Sequence, residues 1–136
     1  MSARSKARKR ALDLIFAAEA QGISADTLLS SQLDAGEGPA NEYTLTLVRG
    51  VHENAARLDE LISRYAEGWT IDRLPAVDRN VLRLGIYELL YVEDVPDAVA
   101  VSEAVNLARD LSTDESPCFV NGVLASVTRD KETLLA

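Results

Sequence analysis

Five basic side chains lie within the first ten residues, and no acidic residue lies among them: Arg4, Lys6, Arg8, Lys9 and Arg10. Cationic side chains neutralise phosphates, and the planar guanidinium of arginine also stacks on bases. We call residues 1–10 the basic arm. If the arm is helical, Lys6, Lys9 and Arg10 lie on neighbouring turns. The charge pattern alone leaves two interpretations open: an arm that binds a partner such as nucleic acid, or an arm without a binding role, which is either a solubilising tail or a basic end that pairs with the acidic body.

The rest of the chain is strongly acidic. The protein has 136 residues and a net charge of −8, with 14 Lys and Arg against 22 Asp and Glu. Without the five basic residues of the arm, nine remain against 22 acids, so residues 11–136 carry −13. An acidic surface of this kind attracts a basic protein partner. This uneven distribution of charge predicts an interaction protein in which the basic arm and the acidic remainder of the chain bind different partners.

The sequence contains no set of residues that would assemble an active site. His52 is the only histidine and Cys118 the only cysteine, so no catalytic triad or multi-histidine metal site can form around them. The glycines form no G-x-G-x-x-G loop. We therefore expect no enzyme, no cofactor and no metal site.

The apolar pattern indicates a cytoplasmic protein that does not enter a membrane. No apolar run approaches the ~20 residues that a membrane helix needs. The basic N-terminus is not followed by the apolar region of a signal peptide, because Asp13 and Glu19 interrupt it. The single cysteine cannot form an internal disulfide, which agrees with a reducing compartment.

Helical periodicity runs through almost the whole chain and predicts an all-α fold, a compact single-domain bundle of six or seven helices over residues 1–136. The first helix has an apolar stripe and ends at Gly22: Ala11, Leu14, Ile15 and Ala18. A single third helix is expected, capped by Asn41, with apolar residues at helical intervals as far as Ile62 and a break at Gly68. Asn121-Gly122 is a common hairpin dipeptide, but the helical stripe continues through it. We interpret Gly122 as a point of close approach between two helices.

Three ordered blocks of sequence resemble the NusB family, particularly its actinobacterial branch. They are ARKRAL followed by LIF at residues 7–16, DRLPAVDR with its continuation at 72–89, and SEAV with FVNGVL at 102–124. The resemblance implies a NusB-like helical fold of two packed subdomains. It also implies a transcription antitermination factor that binds boxA RNA of ribosomal RNA transcripts with NusE, a small-subunit ribosomal protein. Such factors join an antitermination complex on RNA polymerase.

The resemblance also implies which residues bind RNA. The arginine-rich motif of the family falls on the five basic residues of the arm, and aromatic and acidic positions near the RNA fall on Phe16, Asp78, Glu115 and Phe119. Phe16 also borders an apolar stripe, so a core role remains open. Asp78 has an alternative role in pairing with neighbouring arginines, and Glu115 as a solvated loop residue. Phe119 lies outside the buried face of its helix, which favours a stacking platform for bases.

Two other aromatic residues, the face that binds the protein partner and a second possible function complete the predictions from the sequence. We expect Trp69 and Tyr87 to be core anchors. The resemblance suggests the C-terminal half as the face for NusE. An alternative function is a protein–protein scaffold, or a homodimer, without RNA readout of its own.

Overall fold

The computed structural model describes residues 2–136, and within them it contains helices and turns but no strand. The all-α prediction is confirmed. Eight α-helices and one 3₁₀ turn follow in this order within those residues: α1 (Ala3–Gln21), α2 (Ala25–Asp34), α3 (Glu42–Glu53), α4 (Ala55–Tyr65), the 3₁₀ turn (Ile71–Arg73), α5 (Ala76–Tyr91), α6 (Asp97–Leu111), α7 (Ser116–Arg129) and α8 (Lys131–Leu135). None of these helices is both long and apolar enough to cross a membrane.

The helix count exceeds the expected six or seven, partly because the third predicted helix is interrupted at Asn54. The Asn54 backbone leaves the helical region, with φ −108° and ψ 16°. Its side-chain Nδ2 donates to the carbonyl oxygen of Gly50 at 2.8 Å. Asparagine side chains compete in this way with the helical backbone pattern. The break also divides the chain into two compact units, Met1–Asn54 and Ala55–Ala136.

In the first unit, α1 packs against both α2 and α3. The apolar stripe of α1 is buried as predicted. Local signals set the helix ends. Gly22 ends α1 with φ 71°, a left-handed conformation that costs glycine little. Ser24 and Asn41 cap α2 and α3, since their side-chain oxygens accept from the N–H groups of Thr27 and Tyr43.

In the second unit, α5 contacts α4, α6, α7 and α8 and is the centre of the packing. The close approach lies at Gly85 of α5, where an added Cβ would be 2.9 Å from Leu124 Cδ1 and 3.2 Å from Ala104 Cβ. The predicted close approach at Gly122 is wrong. Gly122 is exposed and has no neighbour within 4 Å of an added Cβ, because it lies opposite the buried face of α7.

Candidate nucleic-acid interface

The basic arm forms the first turns of α1, so the arm is helical as expected. The helix begins after Ser2, whose Oγ accepts from the N–H of Ser5 at 3.1 Å. Two side chains of the α3 region hold its backbone. Asn41 Nδ2 donates to the Ala3 carbonyl at 3.3 Å, and the buried Thr44 Oγ1 donates to the Ala7 carbonyl at 3.1 Å. The arm is therefore a fixed helical surface.

The basic side chains of the arm differ in exposure. Arg4, Lys6 and Lys9 are exposed and Arg10 is half-buried, but Arg8 is only 3% exposed. Arg8 packs beneath the arm, with its guanidinium carbon 5.7 Å from the ring centre of Tyr43. Arg4 lies over the same ring at 4.2 Å. A cation over an aromatic face is attracted by the ring quadrupole, so Tyr43 positions both arginines.

The remaining cations of the arm make weak contacts that an anion can replace. Lys9 Nζ lies 3.2 Å from Asp13 Oδ2 in an ion pair whose side chains are each 46% exposed, and such pairs contribute little to stability. Arg10 Nη2 donates to Gln32 Oε1 at 3.0 Å. Lys6 and Arg10 also line a groove of about 420 Å³ beside the loop at Gly38. The groove presents positive charge to whatever enters it.

Phe16 is exposed, at 39% of its surface, and does not belong to the buried stripe of α1. It follows Lys9 by seven residues, which places the two on the same side of the helix about 10 Å apart. The structure thus leaves the Phe16 ring accessible on the side of α1 that carries Lys9.

In the second unit, one cavity of about 170 Å³ brings together three predicted site residues from different segments: Asp78, Glu115 and Phe119. We call it the aromatic cavity, and its other lining residues include Trp69, Pro75 and Ser116.

Asp78 is buried, at 4% exposure, and supports the connection between α6 and α7. Ser112 Oγ donates to its Oδ1 at 2.5 Å and Ser116 Oγ donates to its Oδ2 at 2.9 Å. The alternative role of Asp78, pairing with a neighbouring arginine, is not what the structure shows, since Arg79 donates to the carbonyl oxygens of Ile71 and Leu74. Each carboxylate oxygen of Asp78 retains a second acceptor position.

The expectation that Trp69 is a core anchor is wrong, because half of its surface, 50%, is exposed. Its ring and the ring of Phe119 form an inclined, edge-type pair, with centroids 6.3 Å apart and planes at 61°. Trp69 follows Gly68, where the helical pattern ends, and it belongs to no apolar stripe. That position in the sequence could have indicated that Trp69 is exposed. Tyr87 is half-buried and stacks on Tyr91 at 5.4 Å.

Tyr65 and Asp130 form a further pair of ionisable groups in the second unit. Tyr65 Oη donates to Asp130 Oδ2 at 2.7 Å. This hydrogen bond, with a further one from Arg129, lowers the pKa of Asp130 below its ordinary value. The same bond raises the pKa of Tyr65. Within residues 2–136, no group of three or more His, Cys, Asp and Glu side chains is placed to hold a metal ion.

Comparison with known proteins agrees with the geometry. The NusB family model matches residues 5–129. The transcription antitermination protein NusB of Nocardioides sp. is 65% identical over 134 residues, which cover 98% of this chain and 99% of that protein. The NusB protein of Kineococcus radiotolerans is 53% identical over 136 residues, with both chains fully covered.

Solved structures give the same result at lower sequence identity. NusB of T. maritima is 35% identical with a TM-score of 0.84, covering 96% of this chain and 93% of that one. A NusB chain from a complex of antitermination factors NusB and NusE with double-stranded RNA is 26% identical with a TM-score of 0.79, covering 93% of this chain and 96% of that one. The chain therefore belongs to the NusB family.

Proposed function

We propose that this chain is an RNA-binding transcription antitermination factor that binds boxA-containing RNA of ribosomal RNA transcripts together with NusE. The observation that carries the proposal is the basic arm, a helix with accessible cations on a chain that is otherwise acidic. Relatives that match the whole chain are transcription antitermination proteins. A structurally similar chain is bound to NusE and RNA.

The arm supplies contacts to phosphates. Arg4, Lys6, Lys9 and Arg10 have accessible side chains. Because hydrogen bonds to the α3 region hold the helix, little conformational entropy is lost when RNA binds. Arg8 contributes by packing against Tyr43 beneath this surface.

The aromatic cavity supplies contacts to bases. Phe119 offers a ring face, and the carboxylates of Asp78 and Glu115 accept hydrogen bonds from base amino groups. Two carboxylates at one cavity disfavour a phosphate there. The arm and the cavity thus divide RNA recognition into backbone contacts that position the strand and base contacts that specify it.

The acidic unit Ala55–Ala136 suits a basic ribosomal protein. It contains eight Lys and Arg against 15 Asp and Glu, a net charge of −7. Such a surface speeds the encounter with a cationic partner and disfavours binding of acidic proteins.

We propose that this adapter acts in the cytoplasm, within an antitermination complex on RNA polymerase. It is a single RNA-binding domain over residues 1–136, with its basic arm at 1–10. Its role is binding and not catalysis. A homodimer would compete with NusE for apolar surface.

A titration of labelled boxA RNA, with and without NusE, tests the proposal. Affinity should rise when NusE is present and fall steeply with salt. A variant with four neutralised arm residues (Arg4→Gln, Lys6→Gln, Lys9→Gln, Arg10→Gln) should lose RNA binding and keep NusE binding. These substitutions are preferable to deleting the arm, because Ala7 and Arg8 are buried. If the variant binds RNA as well as the parent does, the scaffold without RNA readout is the better description.

A further inference from the structure

Trp69 is a large aromatic side chain that the packing of its own unit leaves uncovered. Half of its surface, 50%, is exposed, and it lines the aromatic cavity. Exposed aromatic surface beside a cavity is typical of a binding site. Trp69 is not among the residues that resemblance to the family implies for RNA binding.

The backbone around Trp69 is fixed. Gly68 has φ 80°, which allows the chain to turn away from α4. The Trp69 N–H donates to the Ala66 carbonyl at 3.1 Å. Downstream, Arg79 Nη1 donates to the carbonyl oxygens of Ile71 at 3.1 Å and Leu74 at 2.9 Å. These bonds hold the backbone of the segment that forms one wall of the cavity, and the contact with the Phe119 ring orients the indole.

We propose that Trp69 is a second stacking surface for RNA and, with Phe119, holds one unpaired base at the aromatic cavity. The inference rests on the proposed function and deepens it. With ring planes at 61°, the two side chains form a corner. A base stacks on the face of one ring and meets the other ring with its edge. Stacking of this kind tolerates any base, because every base has a π-face.

The chemistry of the cavity favours a base over other parts of RNA. The carboxylates of Asp78 and Glu115 repel phosphate and accept hydrogen bonds only. A base edge with an amino group, as in adenine, cytosine or guanine, is favoured over uracil, whose edge is mostly carbonyl oxygen. Base faces are accessible only where RNA is single-stranded, so the ligand is an unpaired nucleotide.

Trp69 is the only tryptophan in the chain, which makes it a direct probe. Indole fluorescence should be quenched when single-stranded boxA RNA is added to the complex with NusE, after subtraction of the signal from the Trp69→Phe complex. The quenching should saturate with the same midpoint as the anisotropy of labelled RNA. That agreement would show that the base reaches the indole in the bound state.

Substitution gives an independent measure. Trp69→Ala should weaken RNA binding about tenfold, within the roughly 5- to 140-fold range for loss of one base–aromatic stack. Trp69→Phe should restore most of the affinity. The salt dependence should not change, because no charge is removed. Tyr91→Ala is the matched control, since Tyr91 is also exposed, at 40%, in the same unit, but does not line the cavity.

The outcomes separate this inference from the proposed function. If the parent protein binds RNA with a steep salt dependence, while Trp69 is not quenched and Trp69→Ala binds equally well, the stacking role is refuted and the proposed function stands. If the parent does not bind RNA even with NusE, both fail. Circular dichroism and thermal unfolding of each variant establish that the fold is intact.

Discussion

Lys6 and Arg8 are neighbours on the basic arm, but their substitution should have different effects. Lys6 is exposed, whereas Arg8 is 3% exposed and packs against Tyr43. Neutralising Lys6 should alter the electrostatics of RNA binding and leave stability unchanged. Removing Arg8 should lower stability and leave the salt dependence of binding unchanged. The pair tests whether burial decides which cations of the arm meet phosphate.

The magnitudes follow from the accessible charges. Four arm cations other than Arg8 are exposed or half-buried. At about 0.7 per phosphate contact on single-stranded RNA, log affinity should fall against log salt with a slope of about −2.8. Lys6→Gln should reduce this to about −2.1. Arg8→Ala removes two buried methylenes at about 0.8 kcal/mol each and a cation–π contact of about 0.5–1 kcal/mol, so the free energy of unfolding should fall by about 2–2.5 kcal/mol.

The assay is RNA anisotropy with NusE over a range of KCl concentrations, together with urea unfolding of each free variant. Arg49→Gln is the control, because Arg49 is exposed on α3 outside the arm. It should leave both quantities as in the parent. If Arg8→Ala lowers the salt slope by as much as Lys6→Gln does and leaves the urea midpoint unchanged, burial does not decide which cations of the arm meet phosphate.

Two further predictions concern the second unit. Gly85→Ala should destabilise the protein by about 1–3 kcal/mol, because the added Cβ meets side chains of α6 and α7. Gly122→Ala should stabilise it by about 1 kcal/mol, because alanine favours a helix and the added Cβ meets nothing within 4 Å. Urea unfolding compares the two variants, and equal midpoints would contradict the packing around Gly85. Tyr65→Phe should destabilise the protein at neutral pH, because the lowered pKa of Asp130 adds stability above the ordinary pKa of an aspartate, and this contribution is lost as the pH falls through the folded value. At high pH the stabilisation persists until the Tyr65 phenol ionises, because its pKa is raised in the folded protein. The melting temperatures of parent and variant should therefore differ at neutral pH and converge in strong acid, where Asp130 is protonated. A difference that stays constant from neutral pH to strong acid would count against the Tyr65–Asp130 hydrogen bond.

Local signals in the sequence were sufficient to predict the fold class and most helix ends. Apolar spacing, the caps at Ser24 and Asn41, and the left-handed Gly22 act within a few residues, so they can be recognised without knowing what packs where. The ordered blocks of sequence were likewise sufficient for the family. The interruption at Asn54 was missed because the apolar pattern continues across it.

The tertiary structure decided which predicted residues are accessible and which lie together. A basic residue on a helix is exposed or buried according to the element that packs against it, and α3 covers Arg8 while leaving Lys6 exposed. Trp69 is uncovered because the turn after Gly68 carries it out of the core. Asp78 and Phe119 meet at one cavity only because α5 and α7 pack together. Sequence spacing contains no information about such long-range contacts, since they depend on how whole helices are arranged.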